Sequence, residues 1–542
     1  MISVRPKRVG LWAGVTAGIL IAVSAGLFFG RFVKDAAPLN LASTVLSDTY
    51  RPVVNLPWVR YGADFGGVAQ WQTPGISEDS ERINSWLRML GGRGVTAVVW
   101  FLFGDGRGSI DFDDSGFVRG LKPQFVNDYR KALDILKENR MQVIWVVVDF
   151  KIANPMQMER GVQQFGRAGT IEDQAKAKSF FDKALLPVVE DGYDRAQIAG
   201  WIVINEPENV LRDGSVSEDA MRTFIRSAAA TIHRRNPKQP VSVGSADLSS
   251  MIHLSDVEGL NFLVFHHWTS SIPPPASYIR RFLQEELKQD ANGKPIFIGE
   301  YNLGIPPSLD TQRFLTIAKT FGYSGVWPWS LHNRVDASSN VGIDLDPQFS
   351  ELDPYVGAFR NLTDTVAIGR PLVRQTASSN DTDSLVSAKE QLLSNANQRI
   401  AEIEDGHIVE FHREHAVENM EWRQRILQRD LPVFQQQLSQ ALNERQRALD
   451  NLIENEAWVR RASSSDESRA RLAETTSRQW VARIERQIST SREEINRQEA
   501  DLGSATTQWR RHSYLSKEAA NELTWLQWLK SALQQERALR NR

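Results

Sequence analysis

The stretch Trp201-Ile202-Val203-Ile204-Asn205-Glu206-Pro207 runs an apolar segment into an Asn-Glu pair that the following proline prevents from continuing as sheet. Its apolar residues are consecutive and do not alternate with polar ones, so the strand they form is covered on both faces, as in a parallel sheet. Working outward, seven further runs rich in Val, Ile, Phe and Trp flank it, giving strands over 58–65, 95–103, 142–150, 198–205, 240–244, 261–266, 295–299 and 324–329. Amphipathic stretches at 78–90, 123–139, 171–190, 217–235, 277–289 and 310–321 alternate with them. Ser217 and Asp310 stand where helix caps belong. Eight strands with intervening helices over roughly 300 residues predict an α/β fold, a (β/α)8 (TIM) barrel. A doubly wound open sheet would show a Gly-rich fingerprint after its first strand, and Phe65-Gly66-Gly67-Val68 does not supply one.

In such a barrel the C-terminal ends of the strands carry the chemistry, and Glu206 sits at one of them. Pro295-Ile296-Phe297-Ile298-Gly299-Glu300-Tyr301 delivers a second glutamate in the same way. An isolated Asn-Glu-Pro reads as a turn, and an isolated Gly-Glu carries no information. Together, at strands four and seven and nearly opposite across the barrel, they predict two carboxylates closing to about 5–5.5 Å, the spacing of a retaining glycosidase. His266 ends strand six (LVFHHW) and Trp329 ends strand eight (VWPWSLH), with His267, Trp268 and Trp327 as neighbours. Trp100, Trp145 and Trp201 lie within strands and read as core.

Over roughly 58–361 the chain resembles the clan of (β/α)8 retaining glycoside hydrolases that includes the cellulases and β-mannanases, a family 5-like pattern. The resemblance implies that Glu206 is the acid/base, Glu300 the nucleophile and Asn205 the donor to the sugar 2-hydroxyl. It implies that His266 is the active-site histidine and Trp329 the aromatic platform, with Trp327 and His267 as further substrate contacts. Strand two lacks the arginine the family places there and strand three ends in Asp149-Phe150 where the family has histidine, so Asp105, Arg107 and Asp149 are the local substitutes. The implied activity is cleavage of β-glycosidic bonds in a polysaccharide or oligosaccharide by double displacement, without cofactor or metal. The rivals are a catalytically retired barrel that binds glycan or scaffolds an envelope assembly, and a transglycosylase using the same glutamates.

The rest of the chain sets the context. A net charge of −2 provides no basic field for nucleic acid, and the absence of cysteine excludes disulfides and thiolate metal sites. Arg5, Lys7 and Arg8 precede an uncharged stretch over 9–30 that is long enough to cross a bilayer. Residues 1–34 therefore read as a single-pass inner-membrane anchor with the barrel, 50–365, facing the periplasm or exterior; the rival is a cleaved signal ending near Ala25. Residues 366–383 read as a polar linker. Residues 384–542, rich in Glu, Gln, Arg, Ala and Leu, read as a helical bundle or coiled-coil region serving self-association or a protein partner. Helix breaks are expected at Pro432, 463–465 and Gly503, giving four helices. His407, His412 and His415 read as a chance cluster on a solvated helix.

Overall fold

The computed structural model describes residues 46, 50–268, 272–291, 293–302, 311–329, 357 and 379–541. Eight parallel strands form one sheet in sequential order. They are β1 (Val53–Asn55), β2 (Ala97–Phe101), β3 (Gln142–Asp149), β4 (Ile198–Asn205), β5 (Val241–Ser245), β6 (Leu263–His267), β7 (Ile296–Asn302) and β8 (Gly325–Trp329). The crossover helices include α1 (Ser80–Arg93), α2 (Phe125–Glu138), α3 (Gln174–Phe180), α4 (Glu218–Arg235), α5 (Leu248–Leu254), α6 (Ala276–Glu285) and α7 (Thr311–Thr320). Val99, Val146, Ile202, Val264, Phe297 and Trp327 fill the barrel interior, while a larger apolar layer lies between strands and helices. Asn55, at the end of β1, ties the ring together: its Nδ2 donates to the carbonyls of Gly299 (2.9 Å) and Pro328 (3.1 Å), next to β7 and β8 chemistry.

Seven of the expected strands fall within a few residues of their predicted bounds. The first does not. Residues 58–65 curl into a loop because the Asp64 carboxylate accepts from the Val59 and Arg60 amides at 2.7 Å each and from Trp100 Nε1 at 2.9 Å, and Gly62 takes a positive φ of 67°. The true first strand is only three residues long and precedes it. The expected membrane segment at 9–30 lies outside the described residues; among those described, no helix is long and apolar enough to cross a membrane.

The C-terminal region also departs from expectation. Helix α8 (Ser379–Asp405) begins within the stretch read as linker, and is followed by α9 (Ile408–Arg425), α10 (Leu431–Arg461) and α11 (Glu467–Arg540). The chain turns at His407, in a left-handed conformation, and again over 462–466, near the predicted serines. Pro432 does not break the path, because a π turn at Ile426–Asp430 absorbs it at the start of α10. Gly503 lies inside α11, where one glycine costs only about 1 kcal/mol. The result is four helices with other breaks than expected, α8 to α10 forming one arm of a long antiparallel hairpin and α11 the other: Glu456 pairs with Arg478, Arg445 with Glu485, His412 with His512, and Arg399 with Glu522. Buried positions on α11 recur every seven residues at Ala470, Ser477, Ile484, Ser491, Gln498 and Ala505.

The hairpin is docked on the barrel. Tyr514, Trp525, Leu529 and Leu533 of α11 belong to the same apolar cluster as the barrel helices. Arg212 Nε donates to both Glu518 carboxylate oxygens at 3.1 and 3.0 Å, and Asn521 Nδ2 donates to His253 Nδ1 at 2.8 Å.

Candidate active site

Two irregularities in the sheet aim the glutamates. The β4–β5 register shifts between Ile202 and Asn205, and the β7–β8 register between Ile298 and Tyr301, so each strand re-aims its last residues inward. Glu206 has a positive φ of 45°, an uncommon conformation for a residue with a side chain, held by its amide donating to the Gly244 carbonyl at 2.6 Å. Gly244 itself is needed: a Cβ there would stand 3.0 Å from Asn205 Oδ1 and 3.4 Å from His266 Nε2.

The two carboxylates meet at one histidine. His266 Nδ1 lies 2.7 Å from Glu206 Oε1 and 3.3 Å from Glu300 Oε2. One ligand-type atom from each of Glu206, His266 and Glu300 falls within 4.8 Å of the other two. Glu206 Oε2 also accepts from Asn209 Nδ2 at 3.0 Å. His266 and Glu300 are buried, at 4% exposure each, and Asn205 at 8%.

Behind this pair stands a second polar layer. Asp149, at the end of β3, accepts from the Tyr61 hydroxyl at 3.0 Å. The Arg107 guanidinium lies over the Tyr61, Trp71 and Phe165 rings at 5.1, 5.4 and 5.3 Å, and its Nε donates to the Asp105 carboxylate oxygens at 2.8 and 2.9 Å. The residues read as substitutes for the missing arginine and histidine thus form one chain, Asp149–Tyr61–Arg107–Asp105, leading to the site.

Burial, joined by the negative charges of Glu206 and Asp149, holds the Glu300 carboxyl well above the usual range. Burial pushes Glu206 the same way, but the hydrogen bond and charge of His266 and the Asn209 donor outweigh it, and Glu206 lies below the usual range. Burial raises Asp149 to about 6.

Trp329 lies one layer above Trp327 on the inner face of β8, at the barrel mouth, edge-on to Trp58 at 5.9 Å and to Trp268 at 6.3 Å. Trp327 is a correction: at 1% exposure it packs on Phe297 inside the barrel, out of a substrate's reach. The His267 ring stacks on Phe314 of α7 at 5.9 Å, on the helix side of the strand. His407, His412 and His415 do not converge on a metal-binding arrangement; His412 Nδ1 instead meets His512 Nδ1 at 2.9 Å. Asn55, Tyr61 and Asn209 went unnoticed in the sequence. Only Asn209 had a local signal, lying three residues after Glu206 at the start of a short helix (Glu208–Arg212).

Among the described residues, Glu206, His266 and Glu300 are the single group spaced to hold a metal ion. Two carboxylates and one imidazole would suit a divalent cation. They equally suit proton transfer and nucleophilic attack.

No family model matches the chain. It is 23% identical over 331 residues to a mannan endo-1,4-β-mannosidase of Mytilus edulis, covering 53% of this chain and 84% of the relative. It is 26% identical over 333 residues to another from Cryptopygus antarcticus, covering 53% and 81%. Among solved structures, the endo-1,4-β-mannanase of Eisenia fetida aligns at 21% identity and TM-score 0.45, covering 58% of this chain and 92% of that one. Both of these curated relatives are β-mannanases, so in sequence the barrel is similar to glycoside hydrolases.

Proposed function

We propose that this glycoside hydrolase is a retaining, endo-acting β-glycosidase that cleaves a β-1,4-linked polysaccharide of mannan type, tethered to the membrane by its N-terminal segment. The observation that carries the reading is that His266 Nδ1 touches both strand-end carboxylates, which brings one oxygen of each within 4.8 Å of the other and supports the closer carboxyl spacing. Inverting enzymes need about 6.5–9.5 Å to admit a water, whereas retaining enzymes use about 5–5.5 Å. In this reading Glu206 protonates the leaving-group oxygen, Glu300 attacks the anomeric carbon, and Glu206 then deprotonates the water that releases the product. Asn205 holds the 2-hydroxyl and Trp329 supports the reacting sugar by stacking.

The reaction requires the proton on Glu206 and the charge on Glu300 when substrate is bound. Positive charge developing at the anomeric carbon against Glu300 supports that arrangement, because a nearby cation favours the ionised carboxylate. The relatives' named activity supports mannan as substrate, and the chain's near-neutral charge suits an uncharged glycan. An anchored hydrolase works on glycan at the cell's own surface, such as an exopolysaccharide during export.

The test is nucleophile rescue. Glu206→Gln and Glu300→Gln should each lower turnover of β-1,4-mannan, the former by roughly 10²–10⁴. Azide should restore turnover to Glu300→Ala with inverted product anomer. Azide product of inverted anomer from the Glu206 variant would reverse the two roles, and near-normal hydrolysis by either Gln variant would remove the assignment.

A further inference from the structure

A cavity of about 700 Å³ lies between the hairpin and the ends of β5 and β6, lined on the barrel side by His266, which touches both glutamates, and its volume is within the range typical of ligand sites, about 300–1,000 Å³. The barrel contributes His266, Trp268 and Asp247 to its wall, and the hairpin contributes Asn395, Arg399 and Glu522. We propose that α8 and α11 build the subsites for the sugar units on the leaving-group side of the scissile bond, so that glycan recognition is shared between barrel and hairpin. This rests on the glycosidase reading above.

Position gives the side. The proton donor must reach the oxygen between the two sugars, so the departing sugar lies against Glu206. The cavity is on that side: Asp247, which follows β5 and whose charge reaches Glu206, and Arg212, six residues after Glu206, both line it. Glu300 and Trp329 come from β7 and β8, on the other side of His266.

Chemistry gives the ligand class. Trp268, at the rim of the cavity and edge-on to Trp329, is 40% exposed, and its face suits the C–H surface of a pyranose. Arg399 donates through Nε and Nη2 to the Glu522 carboxylate at 2.8 and 3.1 Å and through Nη1 to Glu402 at 3.1 Å, and the second N–H of each terminal nitrogen remains for a hydroxyl. Asn395 is exposed one turn earlier on α8. The charged residues lining the cavity comprise both signs, Arg212 and Arg399 against Asp247, Glu518 and Glu522, which fits an uncharged chain better than an acidic one. The wall is also held fast: Glu518 receives Arg212, and Trp525 and Leu529 are 3% exposed in the shared core.

The experiment uses the full chain in detergent, comparing kcat/KM on β-1,4-mannohexaose with that on 4-nitrophenyl β-mannobioside, whose leaving group spans at most one unit. Asn395→Trp fills the cavity and Arg399→Ala removes a donor without burying anything, so one variant covers the other should it fail to fold. Each should lower the hexaose-to-aryl ratio about ten-fold or more, equivalent to about 1.4 kcal/mol of lost transition-state binding. Leu472→Trp, exposed elsewhere on α11, should leave the ratio at the wild-type value. An unchanged ratio in the folded Asn395 and Arg399 variants overturns the inference while the glycosidase reading stands. Absence of wild-type turnover on β-1,4-linked mannose, glucose and xylose oligosaccharides overturns both.

Discussion

Removing the hairpin should unfold or grossly destabilise the barrel. A chain ending at residue 378 loses Tyr514, Trp525, Leu529 and Leu533, which are 2–3% exposed in the intact protein. Burying a side chain of this size contributes roughly 1.5–3 kcal/mol, so these four alone account for about 6–12 kcal/mol as an upper bound. That equals the whole stability of an ordinary domain, about 5–15 kcal/mol. The cut also strips Glu518 from Arg212 and bares the apolar faces of α5 and α6. Residues 50–378 and 50–542 would be expressed in parallel and compared by thermal melting, light scattering and binding of an apolar dye. The longer protein should melt cooperatively, and the shorter should be aggregated or bind dye without a transition. A shorter protein that is monomeric, melts within a few degrees of the longer one and retains turnover on the aryl substrate would refute the argument.

Other consequences are smaller. Asp149→Asn removes a negative charge that helps hold Glu300 protonated, so the acid limb of the kcat/KM profile should move to lower pH; movement upward would exclude that coupling. Burial raises Glu208 from 4.5 to about 8, so the folded state holds a proton that the unfolded state gives up between those values. Its contribution is complete below about 4.5 and fades as pH rises through about 8, so the melting temperature should fall over that window in wild type and fall less in Glu208→Gln. Chelation by EDTA should leave turnover unchanged if the Glu206–His266–Glu300 group works by proton transfer and covalent attack, and a loss restored by one divalent ion would assign it to a metal. The full-length chain should remain in the membrane pellet after carbonate washing, and a soluble form beginning near Gly26 would show that the N-terminal stretch is cleaved.

The fold was legible because long parallel strands advertise themselves: Gln142–Asp149 and Ile198–Asn205 are apolar on consecutive residues, and each is buried almost throughout. The first strand was not, since Val53–Asn55 is too short to show a pattern and the richer 58–65 run is curled by a single carboxylate, Asp64. The placement of Glu206, Glu300, His266 and Trp329 at the ends of strands was legible, because strand ends are marked in sequence. Tyr61 and Asn55 were not, because they reach the site from loops and strands more than 80 residues away, through contacts with Asp149 and Gly299. Helices folded back on one another were legible in the C-terminal region, but their breaks were not: apart from Ile484, the seven-residue repeat is carried by Ala470, Ser477, Ser491, Gln498 and Ala505, small or polar residues that a search for apolar stripes passes over.

That repeat also bears on why the hairpin and the site belong together. The stretch of α11 from Ala470 to Ala505 spends its buried positions on α9 and α10, with an apolar cluster around Ile484 and Ile488 flanked by Ala470, Ser477, Ser491 and Ala505. From Tyr514 onward the buried residues become large, including Trp525, Leu529 and Leu533, and face the barrel. The bulky residues of that run pack on the helices that follow β5 and β6. They dock the hairpin beside His266 and Trp268, where the cavity between hairpin and barrel opens. Fixing that wall matters for chemistry because a displacement of about 1 Å in substrate position can cost on the order of 10²-fold in rate. The hairpin's rigidity and its contribution to the cleft are therefore one requirement, met by the same run of α11.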